Sequence, residues 1–121
     1  MKLRANLVKE GLKQDPTTKG WSLSLQMKQI PTVENLQEFL GKNQELLHLD
    51  LSYNYLSRIE YGISSFKKLK WLDLSANHIS FIENLEGLDE LEYLNLSTNR
   101  IKTIENLNCL SALNILVKLL P

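Results

Sequence analysis

Two stretches of the chain repeat each other without a gap. Residues 69–90 read LKWLDLSANHISFIENLEGLDE and residues 91–112 read LEYLNLSTNRIKTIENLNCLSA, a shared frame of LxxLxLSxNxIxxIENLxxL with a period of 22. Residues 46–68, LLHLDLSYNYLSRIEYGISSFKK, carry the same frame with one extra residue near Tyr61-Gly62. Residues 20–45 keep Leu23, Leu25, Ile30, Val33 and Leu36 in register, but Lys28 stands where the others have Asn and the tail is longer. A chain built this way folds as a stack, because one unit cannot bury its own apolar residues and must lean on the next.

Within LxxLxL the last two leucines alternate with polar residues, the mark of a strand with one wet face. Leu49 and Leu51, Leu72 and Leu74, and Leu94 and Leu96 are therefore expected to point inward, on parallel strands ~4.8 Å apart. Parallel neighbours need a return crossover, and the frame leaves room for turns or a short 3₁₀ segment. Ile79, Ile82, Leu85 and Leu88 line the inside of one return, at a spacing of three that suits a 3₁₀-like path. Asn54, Asn77 and Asn99 mark the bend after each strand, where an amide satisfies backbone groups the turn leaves unpaired.

Leu and Asn, at 26 and 11 of 121 residues, are the compositional outliers. Lys+Arg and Asp+Glu are both 14, which argues against a strongly basic nucleic-acid binder. The charged N-terminus MKLRANLVKEGLKQD has no signal-peptide core, and no apolar run approaches the ~20 residues of a membrane span. A lone cysteine, Cys109, suits a reducing, cytoplasmic compartment. The sequon Asn95-Leu96-Ser97 is read as a chance occurrence. Two separated histidines and one cysteine offer no metal-ligand spacing, and no phosphate-binding or dinucleotide motif calls for a cofactor or small-molecule substrate. His48, Asp50 and Ser52 alternate on one strand, but side chains two residues apart on a strand lie ~6.6 Å apart, too far for a catalytic triad.

Three parts are expected. Residues 1–19 form an N-terminal capping helix and linker, with Leu3, Leu7, Val8 and Leu12 at roughly helical spacing and Asp15-Pro16 as the stop. Residues 20–112 hold four repeats, the first degenerate. Residues 113–121 are an incomplete repeat or a C-terminal cap. Leu113 and Leu116 keep the frame and Lys118 breaks it, while Leu110, Leu113, Val117 and Leu120 also fit a helix. The sequence leaves strand against helix open there, and short module against truncated form of a longer repeat protein. Either way the apolar end invites self-association.

The outward strand positions form columns across the repeats. One runs Ser22, His48, Trp71, Tyr93, and the next Ser24, Asp50, Asp73, Asn95. Met27, Tyr53, Ala76 and Thr98 form another at the bend. His48, Trp71 and Tyr93 thus stand side by side, flanked by Asp50, Asp73, Asn95 and Tyr53, as a candidate protein-binding patch, since exposed Trp and Tyr are enriched at hot spots. The competing reading is that Trp71 only shields the strands. The carboxylates favour a basic or mixed partner. Aromatics set among acids argue against a nucleic-acid groove. Beyond the bend, Tyr55, His78 and Arg100, with Arg58 and Lys102 nearby, form a mixed and basic edge that an acidic peptide would suit.

The frame over about residues 20–117 and the endings Ile82-Glu83-Asn84-Leu85 and Ile104-Glu105-Asn106-Leu107 resemble the leucine-rich repeat family. The likeness is to its short intracellular 22-residue class, as in the leucine-rich regulatory subunit of protein phosphatase-1, outer-arm dynein light chain 1 and a leucine-rich spliceosomal protein. The resemblance implies an α/β solenoid with a parallel concave sheet, a convex side of 3₁₀ segments and turns, and a buried ladder of Asn54, Asn77 and Asn99. It implies non-catalytic protein binding through the concave face, as an adaptor or regulatory light subunit. Ciliary or cytoskeletal assemblies come first, with phosphatase regulation or ribonucleoprotein assembly, including a nuclear site, as alternatives. A structural fragment of a longer repeat protein is the reading from a different class.

Overall fold

A computed structural model describes residues 3–41 and 44–117; the sequence readings at Lys118 and Leu120 lie outside them. Helix α1 (Ala5–Gly11) is followed by β1 (Leu12–Gln14), β2 (Trp21–Ser24), β3 (Leu46–Asp50), β4 (Trp71–Asp73), β5 (Tyr93–Asn95) and β6 (Ile115–Val117). The six strands form one sheet in chain order, antiparallel between β1 and β2 and parallel from β2 to β6. The register follows the repeat: Leu49 pairs with Leu72, Leu72 with Leu94, and Leu94 with Leu116. A parallel β-solenoid of about four turns results, with the framework leucines as its core.

Leu49, Leu51, Leu72, Leu74, Leu94 and Leu96 are all fully buried. Opposite them lie Ile59, Ile79, Ile82, Leu85 and Leu88 from the return segments, equally buried. The two longer, earlier returns contain 3₁₀ segments at Leu36–Phe39 and Tyr61–Ser65. The two 22-residue units make only turns, through successive i→i−3 bonds such as Leu88 N–H to Leu85 O (3.3 Å) and Leu91 N–H to Leu88 O (3.2 Å). A spacing of three apolar residues suits both, because each path repeats every three residues.

The N-terminal segment departs from the expected helix. The helix stops at Gly11, and Leu12–Gln14 instead pair with β2. A sheet edge is a row of unpaired backbone groups, and this short strand covers it. Gly11 is where the chain changes course: a Cβ there would collide with the carbonyl oxygen of Ser24. Leu3 and Val8 are buried in the common core. The turn back to β2 is held by the Asp15 carboxylate, which accepts the N–H groups of Thr17 (2.7 Å) and Thr18 (3.1 Å).

At the other end, Ile115–Val117 continue the parallel sheet, so the strand alternative is the one observed. Ile104 is 46% exposed and Leu116 is 37% exposed, where their counterparts one repeat earlier, Ile82 and Leu94, are fully buried.

Candidate protein-docking face

The backbone beneath the face is fixed by polar side chains at equivalent positions. Asn54 Oδ1 accepts the N–H groups of Lys28 and Ile30, and Asn54 Nδ2 donates to the carbonyls of Leu25 and Leu51. Asn77 does the same between Leu56 N–H and the carbonyls of Leu51 and Leu74. Asn99 links Ile79 N–H to Leu74 O and Leu96 O. Each amide therefore latches its own turn to the preceding one. Lys28 stands in the first turn, where no preceding repeat awaits a latch.

A second set of amides lies on the return side. Asn84 Nδ2 donates to Ile59 O (2.8 Å) and Asn106 Nδ2 to Ile82 O (2.7 Å). Both asparagines have positive φ, 62° and 59°, a region Asn tolerates better than most residues. Sequence reasoning used the I-E-N-L ending only as a signature. Its recurrence at a fixed position, in a residue type that serves turns, was the signal for this role.

Asp50, Asp73 and Asn95 close each strand. Their Oδ1 atoms accept the N–H groups of Ser52 (2.9 Å), Ser75 (2.9 Å) and Ser97 (3.0 Å). Ser52 Oγ also donates to Asp50 Oδ1 at 2.6 Å, which corrects the expectation that these alternating side chains stay apart. The strand ends at Asp50, and the turn that follows swings Ser52 into a buried position, 3% exposed. The carboxylates thus have a framework bond on one oxygen. Neither enters a salt bridge among the described residues.

The ring-bearing column lies on the solvent side of the same strands, in paired register His48–Trp71–Tyr93. Trp71 and Tyr93 are stacked, with ring centroids 5.0 Å apart and planes 4° from parallel. His48 meets Trp71 edge-on at 6.1 Å and 77°. The row runs on to Ile115, 52% exposed and paired with Tyr93. Sequence reasoning missed Ile115, although it precedes Leu116 as Tyr93 precedes Leu94. At its other end His48 borders a groove of about 370 Å³, shared with Lys13, Trp21, Leu47 and Lys70.

Tyr53 stands apart from the row. It sits at the bend with φ of 56°, as do Met27 (56°), Ala76 (55°) and Thr98 (54°), so the conformation belongs to the frame. Tyr53 faces a separate groove of about 430 Å³ with Met27, Tyr55 and His78. Tyr55 and His78 are stacked at 6.0 Å and 10°. Among the described residues no group of three or more His, Cys, Asp or Glu is gathered as a metal ion would require. Nor is any helix there long and apolar enough to cross a membrane.

A stack of parallel strands, latched turn to turn by asparagine and bearing a ring-lined outer face, defines a repeat solenoid. The family comparison gives the same class: a model described as leucine rich repeats, two copies, matches residues 67–109, and one described as leucine rich repeat matches residues 33–79. The two matches support a leucine-rich repeat family for this chain. Such repeats generally mediate protein–protein interaction and are typically non-enzymatic. No curated protein matches the chain.

Proposed function

We propose that the chain is a non-catalytic interaction module, an adaptor or regulatory light subunit, that takes a protein partner on the outer face of its sheet. One observation carries the reading: His48, Trp71 and Tyr93 form a continuous row of rings across three strands, at positions where the frame accepts Ser22 and Ile115 equally well. Folding sets no demand for rings there, whereas binding hot spots are enriched in Trp and Tyr. Asp50 and Asp73 beside the row favour a partner with basic residues around its apolar contact, through their charge complementarity.

The resemblance to short intracellular repeats and the single Cys109 support a cytoplasmic site, with a ciliary or cytoskeletal complex ahead of phosphatase or ribonucleoprotein assemblies. That ranking rests on analogy between folds. A second contact is supported by the exposure of Ile104, Ile115 and Leu116 in the last turn: self-association there would appear as a sedimentation coefficient that rises with protein concentration.

The test is affinity capture from cell extract with mass-spectrometric readout, comparing the native chain with a folded Trp71→Ala/Tyr93→Ala variant. Partners lost from the variant alone support the proposed face and name the complex. An unchanged partner set removes the face from consideration.

A further inference from the structure

The edge beyond the bend has its own chemistry. Tyr55, His78 and Arg100 occupy one position on successive repeats, and each donates its backbone N–H to the preceding repeat, at Ile30 O, Leu56 O and Ile79 O, all at 2.8 Å. The result is a fixed ridge. Two grooves run along it. The first, of about 430 Å³, is bordered by Met27, Tyr53, Tyr55 and His78, and no acidic residue lines it. The second, of about 350 Å³, is bordered by Phe81, Arg100, Lys102 and Glu105.

Several exposed apolar side chains lie along this ridge. Met27 is 66%, Tyr53 59%, Tyr55 54% and Phe81 65% exposed. The frame does not ask for these side chains. Ala76 and Thr98 serve at the position of Met27 and Tyr53, Gln29 and Arg100 at that of Tyr55, and Arg58 and Thr103 at that of Phe81. Left-handed backbone at Met27 and Tyr53 is easier for Gly or Asn, so a ring at Tyr53 has no conformational reason.

The charges are arranged to match. Arg100 and Lys102 enter no salt bridge among the described residues, while Arg58 is turned to Glu83 at 3.8 Å. Glu105 is the single acid bordering either groove. The sheet face on the other side of the bend carries Asp50 and Asp73 instead.

We propose that this ridge is a second docking surface, and that it takes an acidic protein segment carrying apolar or aromatic residues. The apolar side chains settle against Tyr53, Tyr55 and Phe81, and the carboxylates face Arg100 and Lys102. Such a segment is disfavoured on the sheet face by like charge. Docking on the ridge does not depend on the partner proposed for the sheet; with that partner, the module would hold two segments of opposite charge on neighbouring surfaces.

The test is a titration of the isotope-labelled chain, read by amide chemical shifts, with two pools of short synthetic peptides. One pool is built from Asp, Glu, Tyr, Phe and Leu. In the other, Lys and Arg replace the acids. The acidic pool is expected to move the amides of Tyr55, His78 and Arg100, with a salt-sensitive affinity at least about tenfold above the basic pool. An Arg100→Glu/Lys102→Glu variant, altered only at exposed positions, is expected to lose that preference. Trp71→Ala/Tyr93→Ala is expected to retain it, which separates the ridge from the sheet face. An acidic pool that leaves the ridge amides unmoved, or equal binding of both pools, overturns the proposal. So does a charge-reversed variant that binds like the native chain.

Discussion

Over β2 the chain supplies its own cover, and over β6 the described residues leave the core frame in view. Leu3 and Val8 join the core at the first end, and β1 pairs with the free side of β2. At the last turn Ile104 and Leu116 hold frame positions whose counterparts are fully buried, yet are 46% and 37% exposed. The same sequence frame therefore has different energetic weight along the stack. A framework leucine contributes in proportion to the neighbour that covers it, which is the expected behaviour of a one-dimensional assembly.

The largest effect should come from the leucine at one frame position in adjacent strands. Leu94→Ala is expected to cost about 2–5 kcal/mol, through lost burial and the cavity left behind. Leu116→Ala should cost less, about 1–2 kcal/mol, since over a third of that residue already meets water. Urea unfolding of both variants checks this, and equal losses would break the contrast between the ends. Next, Asn77→Ala leaves buried groups such as Leu56 N–H without a partner and is expected to cost about 3 kcal/mol. Lys28→Asn at the equivalent position of the first turn should change stability by less than about 0.5 kcal/mol.

Gly11→Ala tests the N-terminal cover alone. The new Cβ collides with the Ser24 carbonyl, with an expected cost of about 1–3 kcal/mol and faster amide exchange in β1. The smallest effect is electrostatic. The Thr17 and Thr18 amides hold Asp15 below the usual aspartate range, and Lys68 holds Glu90 below the usual glutamate range. A lowered folded pKa contributes stability above the unfolded value, about 3.9 for Asp and 4.3 for Glu. That contribution is lost as pH falls through the lowered folded values. Protection of the Thr17 and Thr18 amides, relative to their intrinsic exchange rate at each pH, should fall over that acidic range, and Asp15→Asn should remove that change.

The repeat was legible because its information is periodic. Leu72 and Leu94 announce the same strand by standing 22 residues apart. The row His48–Trp71–Tyr93 could be placed for the same reason, since a shared frame fixes which side chains become neighbours. What was not legible depended on contacts outside the frame. Leu12 has helical spacing from Val8, but the open edge of β2 draws Leu12–Gln14 into a strand. The contact between Asp50 and Ser52 arises because the strand ends sooner than the alternation of residues suggests. Tyr53 is near the row in sequence, and the positive φ at the bend assigns it to the ridge.

The central claim is that the ring row serves a partner and is dispensable to the fold. Urea unfolding of Trp71→Ala/Tyr93→Ala tests it without knowledge of that partner. Loss of one stacked pair and some half-buried surface should lower stability by about 1–2 kcal/mol, with cooperative unfolding and a native circular-dichroism spectrum retained. A loss as large as that of Leu94→Ala, or failure to fold, would contradict the claim and make the rings part of the core they cover.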